Sequence, residues 1–219
     1  MSCRNLGFVK PEIRVLGIDD GRFVPRSKTQ ALVVGVVLRG GYGIEGVMST
    51  YITVDGFDAT VKIKNMIRTS RHYGQLRVIM LNGITLAGFN VVDIKTLNGE
   101  TGLPVIAVTS KKPDLNKLHS ALKNLPKSDL RWKAILNAGE PFAVETKEKK
   151  KDVYIGIAGI GKESAGEVLR LTSTQSRIPE PLRLAHLVAS GISLYTPWRC
   201  SYAKVKKTAC KGNTRQMEN

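Results

Sequence analysis

Ala31-Leu32-Val33-Val34-Gly35-Val36-Val37-Leu38-Arg39 is followed by Gly40-Gly41-Tyr42-Gly43, and then by a long run from Ile44 to Val54. The first segment is valine-rich and almost continuously apolar. That predicts a strand covered on both faces, near the middle of a sheet. The glycine-rich turn is too short for a helical crossover, so the two runs read as a hairpin. Upstream, Ile13 to Asp19 carries Ile13, Val15, Leu16 and Ile18 between glycine and acid, and reads as another buried strand. The three runs together predict an antiparallel meander.

Beyond Val54 the pattern switches. Asp55-Gly56 mark a turn, and Phe57, Val61, Ile63 and Ile67 recur at a helical period. Leu76 to Leu81 reads as a buried strand, Phe89 to Leu97 as a short helix or turn-rich crossover, and Val105 to Val108 as a strand. A helix follows Pro113-Asp114 on Leu115, Leu118, Ala121, Leu122 and Leu125, and a second one spans Leu130 to Leu136. Residues 145–152 (ETKEKKKD) form a solvated charged loop. Val153 to Ala158 is a last strand and Glu163 to Leu171 a helix. In Arg177-Ile178-Pro179-Glu180-Pro181-Leu182-Arg183-Leu184-Ala185-His186 the prolines hold Ile178 and Glu180 extended. Pro181 then starts a helix where its missing N–H is not needed. A meander followed by alternating helix and strand is the order of an α/β ribonuclease H-like mixed sheet: an antiparallel three-strand meander plus parallel βα units, with flanking helices. A doubly wound sheet is disfavoured because the first two connections are hairpins. No repeat or dividing linker is seen, so residues 1–219 are taken as one domain with a basic tail at 199–219.

The chain carries 34 Lys plus Arg against 18 Asp plus Glu, a net charge of +16. A densely negative partner is implied, and nucleic acid, DNA or RNA, fits best. From Arg199 to Arg215 there are six positive residues and no acid. Aromatic residues are only 6%, so stacking platforms for single strands are scarce. Cys3, Cys200 and Cys210 make neither a CxxC pair nor a disulfide framework, which suggests a reducing compartment. No apolar run reaches membrane-spanning length and the N-terminus lacks a signal-peptide core, so a cytoplasmic protein without a membrane partner is expected. The sequence leaves the oligomeric state open.

Two glycine motifs need weighing. Gly41-Tyr42-Gly43-Ile44-Glu45-Gly46 has the letters of a dinucleotide site, but a strand follows it where a helix is required. Gly156-Ile157-Ala158-Gly159-Ile160-Gly161-Lys162-Glu163 lies between a strand and a helix, as a phosphate-binding loop does. Its eighth residue is Glu163 where a magnesium-binding hydroxyl is needed. Nucleotide binding through 156–162 is therefore a minor alternative.

Gly17-Ile18-Asp19-Asp20-Gly21 ends the first strand with two acids. It reads either as a turn or as a rigidly delivered metal carboxylate at Asp19, with Asp20 on the opposite face. Leu81-Asn82-Gly83 ends a second strand. Val105-Ile106-Ala107-Val108-Thr109-Ser110-Lys111 ends a third, with Lys112 a rival to Lys111. Taken with the segment from Arg177 to His186, these stretches resemble endonuclease V, and more closely an archaeal family distantly related to it.

The resemblance implies a divalent-metal phosphodiesterase acting on nucleic acid, in repair or RNA processing. Asp19 would be the central ligand of Mg2+ or Mn2+ and His186 a flanking one. Asp55 or Asp58 would replace a family glutamate, and Asn82 stands where the family has an aspartate. An amide oxygen brings no charge, so weak metal affinity follows. Lys111 would neutralise charge on the phosphate. Arg177, Arg183, Lys204, Lys206 and Lys207 would contact the nucleic-acid backbone. Tyr51-Ile52-Thr53-Val54 lacks both prolines of the endonuclease V wedge, which puts recognition of deaminated bases in doubt. The alternative is a nuclease-like fold that binds nucleic acid without cutting it.

Overall fold

The structure, a computed structural model, describes residues 9–146 and 152–194. The elements in chain order are β1 (Arg14–Asp20), β2 (Gln30–Arg39), β3 (Gly43–Thr53), α1 (Ala59–Arg68), β4 (Val78–Asn82), β5 (Thr85–Leu86), β6 (Asn90–Val91), α2 (Ile94–Thr101), β7 (Val105–Thr109), α3 (Leu115–Leu122), α4 (Ser128–Asn137), β8 (Phe142–Val144), β9 (Val153–Ala158), α5 (Lys162–Thr172) and α6 (Glu180–Ser193). Seven strands form one sheet in the order β3-β2-β1-β4-β7-β9-β8. The meander is present: β1 pairs with β2 and β2 with β3, both antiparallel. Then β1, β4 and β7 run parallel. This is the mixed α/β sheet of the ribonuclease H-like class.

The far side differs from a plain series of parallel βα units. The last long strand, β9, returns antiparallel to β7, and the short β8 closes the edge against it. Neither β8 nor the two-residue hairpin β5–β6 is legible in the sequence, because two or three residues cannot display a period. The charged segment at 145–152 falls largely outside the described residues, as do the three cysteines and the basic tail.

Side-chain alternation splits the core in two. Leu16, Ile18, Ile79 and Leu81 point to one face, where Ile63 and Ile67 of α1 and Leu97 of α2 cover them. Val15, Val78, Met80, Ile106 and Val108 point to the other, under Val168 and Leu169 of α5 and Leu182 of α6. On that second face Ala185 and Ala189 of α6 also lie on Leu32, Val34, Val36 and Leu38 of β2. β2 is buried from Ala31 to Leu38, as its near-continuous valine run requires.

Because β1, β4 and β7 are parallel, their last residues share one edge of the sheet. Ile18 is level with Leu81, and Asn82 with Val108.

Candidate active site at the sheet edge

The placement of α6 explains the site. Gly17, Asp19 and Gly21 project from the same face of β1, since they alternate along the strand. The two glycines are where the helix backbone comes closest. A methyl at Gly17 would sit 2.2 Å from the carbonyl carbon of Pro181, and one at Gly21 would sit 2.7 Å from the carbonyl oxygen of Ala189. The helix therefore runs along β1 with no side chain beneath it at either contact. Between the contacts, Asp19 on the strand meets His186 on the helix.

Three of the residues expected from the sequence converge there. Asp19 is 2% exposed. Its Oδ2 is 2.8 Å from His186 Nδ1 and accepts a hydrogen bond of 3.0 Å from Asn82 Nδ2. Its Oδ1 accepts the backbone N–H of Asp20 at 2.9 Å. An ionised carboxylate only accepts, so His186 carries its proton on Nδ1 and leaves Nε2 as the outward acceptor. The His186 side chain is 60% exposed, so that nitrogen can meet a ligand from solvent.

Asp20 points to the opposite face, as the alternation requires. Its Oδ2 accepts the backbone N–H of Ala87 at 2.8 Å, in the connection between β5 and β6. Burial pushes its carboxyl up to about 6. The charge of Asp19 adds to that rise, while the Ala87 hydrogen bond works against it.

Asp55 and Asp58 are held elsewhere. Asp55, at φ +53°, accepts the N–H groups of Phe89 at 2.9 Å and Arg26 at 3.2 Å. Asp58 accepts the N–H and hydroxyl of Thr53 and the amide of the buried Asn90, the last at 2.6 Å. Asp55 thus ties the segments around Arg26 and Phe89 together and Asp58 closes the turn from Thr53 while holding Asn90, so both carboxylates are engaged in the frame and neither bonds to Asp19, Asn82 or His186. Asp93, a conceivable replacement for the missing acid, caps α2 and accepts from Asn137. Among the described residues no group of three or more His, Cys, Asp and Glu side chains could hold a metal ion. The donor set is therefore short of carboxylates for a resident hard cation. It does suit a Mg2+ or Mn2+ ion held by Asp19 and completed by substrate oxygens, since magnesium is commonly bound by one or two carboxylates plus phosphate.

Lys111 and Lys112 are exposed just past the end of β7, on the same edge as Asn82. Arg177 reaches the carbonyl of Ser110 beside them at 3.5 Å. Arg183 is engaged by its own helix: it forks onto the buried carboxylate of Glu180 at 2.6 and 2.8 Å. Lys204, Lys206 and Lys207 lie outside the described residues.

The nucleotide-loop alternative fails on position. Ala158 is level with Val105, the first residue of β7, so Gly159 to Lys162 sit at the edge opposite Asn82. The concavity at Gly159 is filled by the Asn98 side chain, whose amide donates to the carbonyl of Leu103. The Lys162 ammonium rests 4.9 Å above the Phe142 ring.

A cavity of about 410 Å3, marked by no sequence motif, begins one residue past Asn82. Gly83, Ile84, Phe89, Thr109, Leu115 and Tyr154 line it, and its walls are mostly apolar. Its framework is tied together by Arg131 of α4, which is 2% exposed. Arg131 donates to the carbonyls of Asp55, Gly56, Phe89 and Pro126. The only sequence signal of this was an arginine inside an otherwise amphipathic helix.

Against known proteins, residues 11–193 match the family described as endonuclease dU. A UPF0215 protein of Methanopyrus kandleri is 52% identical over 185 residues, 84% of this chain and 93% of that one. A crystal structure of an Archaeoglobus fulgidus protein superposes with a TM-score of 0.74 at 42% identity, covering 82% of this chain and 98% of that one. Endonuclease V of Streptomyces avermitilis superposes with a TM-score of 0.57 at 16% identity, covering 82% and 81%; this is a likeness of fold.

Proposed function

This chain belongs to the endonuclease dU family, among archaeal UPF0215 proteins distantly related to the endonuclease V fold, and from that premise we propose that it is a divalent-metal-dependent DNA endonuclease that hydrolyses the backbone beside a deoxyuridine. The deoxyuridine rests on the family's description. The observation that carries the rest is the convergence of Asp19, Asn82 and His186 beside an apolar cavity. A base turned out of the helix fits such a cavity, and its phosphate would then lie at the sheet edge.

In this reading Mg2+ or Mn2+, when bound, activates water and neutralises charge on the phosphate. Asp19 would hold it together with substrate oxygens. Asn82 and the N–H of Asp20 fix the Asp19 carboxylate. His186, oriented through Nδ1, would present Nε2 as a base and take up the proton that the attacking water loses. Lys111 draws charge off the phosphate from the end of β7. Arg177, Lys112 and the tail cations Lys204, Lys206 and Lys207 track the backbone, and Arg183 assists only where Glu180 releases it. The described residues hold no helix long and apolar enough to cross a membrane. The protein works as a single domain in the cytoplasm.

The second reading, nucleic-acid binding without cutting, is favoured by Asn82. Its amide N–H occupies the approach to Asp19 where an acid would face a cation. One assay separates the two. Labelled duplexes carrying a single deoxyuridine, or thymidine in its place, are incubated with the protein and manganese. Cleavage next to deoxyuridine that is lost in Asp19→Ala supports the enzyme. Salt-sensitive binding with intact strands under every metal condition supports the binding protein.

A further inference from the structure

The two edges of the sheet are unlike. β8 ends one side with three residues, too short to template another strand. β3 ends the other with eleven residues, and its outer edge has no pairing partner among the described residues. Exposed edges of this length are ordinarily blunted by lysine, proline or bulges. The β2–β3 pairing has its one irregularity at Val37/Leu38, near the hairpin end. From Gly46 to Thr53 the strand reads GVMSTYIT, with no charge and no proline. Its neighbouring acid, Glu45, is neutralised by Arg14 at 2.5 Å and Arg39 at 3.3 Å.

The side chains deepen the anomaly. Val47, Ser49 and Tyr51 stand level with Val36, Val34 and Leu32 of β2, on the face that α6 covers. Helix α6 packs on β1, β2 and β4. Val47 is left 53% exposed and Tyr51 44%, an apolar shelf along the free edge.

We propose that this edge is a dimer interface, with β3 pairing antiparallel to β3 of a second copy about a two-fold axis at Ser49. The register is set by self-complementarity. Ser49 meets Ser49, and each Val47 meets the Tyr51 of the other copy, an aromatic–β-branched pair of the kind that stabilises sheets. Glu45 falls opposite Thr53, so no charge meets its own kind. That neutrality singles out this strand on a chain of net charge +16, whose copies otherwise repel each other. A two-fold perpendicular to the sheet joins the two shelves between the two copies of α6. It also sends the two Asp19 edges in opposite directions, so one dimer would present two separated nucleic-acid sites.

The test is the mass of the full chain by sedimentation velocity and light scattering. The proposal expects twice the 24.0 kDa of the chain. It expects a fall to once that mass in the double variant Val47→Lys, Tyr51→Lys, whose side chains are exposed and whose circular dichroism should stay unchanged. A register test guards against misfolding of that variant. In a background with Cys3, Cys200 and Cys210 replaced by serine, Ser49→Cys should form an intermolecular disulfide on mild oxidation and Val47→Cys should not. A monomer at every concentration, a dimer that survives the lysine variant, or cross-linking at residue 47 in preference to 49 would overturn it.

Discussion

Replacing Asn82 by aspartate reshapes the site without moving its backbone. The amide nitrogen lies 3.0 Å from Asp19 Oδ2. In Asn82→Asp a carboxylate oxygen takes that place, and a hydrogen bond becomes a contact between two like charges. At an effective dielectric constant of about 20, two full charges 3 Å apart repel by roughly 5 kcal/mol. Residue 82 is exposed, so solvent and proton uptake by the pair reduce the net cost to about 2 kcal/mol. In metal-free buffer at pH 8 the variant should therefore melt about 4–8 °C below the parent. Manganese should reverse the order. A site filled at about 100 times its dissociation constant gains roughly 2.7 kcal/mol, enough to cancel the repulsion. The assay is paired: thermal melts with and without manganese, and titration calorimetry of manganese into the protein without DNA. The parent should bind the free ion weakly, because its shell is completed only by substrate. The variant should bind at least tenfold more tightly and cut deoxyuridine DNA faster at limiting metal. Equal manganese-induced shifts in parent and variant would refute the argument that Asn82 sets the metal affinity.

Other substitutions probe the frame around the site. Gly17→Ala forces a methyl into the Pro181 carbonyl group at 2.2 Å. It should cost about 1–3 kcal/mol in urea denaturation and weaken the His186–Asp19 hydrogen bond, read from the imidazole N–H resonance. The Asp20 carboxyl, pushed up to about 6 by burial, holds its proton more tightly in the native state than in the unfolded one. Its contribution is thus lost as pH rises from about 4 to 6 and stays lost above, a penalty of about 2–3 kcal/mol at pH 7. Asp20→Asn keeps an acceptor for Ala87, so in chelator-treated buffer it should match the parent near pH 4 and exceed it in stability at pH 7. Identical pH profiles would contradict this. Arg131→Met strands four carbonyl groups and should cost about 3 kcal/mol or more, lowering the melting temperature by about 6–12 °C.

Much of the fold was legible because its signals are long. The valine run of β2, the glycine turn after it and the period of α6 each extend over enough residues to choose between strand and helix. The hairpin β5–β6 and strand β8 were hidden because they are short and owe their pairing to tertiary context. In the site, Asp19, Asn82 and His186 were readable as strand-end and helix residues. Their approach to one another depends on Gly17 and Gly21, whose value as helix-docking positions appears only when α6 is laid on β1. The acids at 55 and 58 show the limit of spacing arguments. A carboxylate after a strand can serve a turn as well as a metal, and here the Phe89 and Thr53 N–H groups take them. The cavity was invisible because its walls come from β5, β7, β9, α3 and α4, and no local pattern encodes such a convergence.

The central claim is that Asp19, at the end of β1 and under His186, is where a cation and the scissile phosphate meet. Crystals of the protein with a deoxyuridine oligonucleotide and manganese, measured at the manganese absorption edge, address it directly. An anomalous peak between the Asp19 carboxylate and a phosphate oxygen, with the uracil in the cavity beside Gly83, is the predicted result. DNA bound with its phosphates and all manganese remote from Asp19 would contradict it.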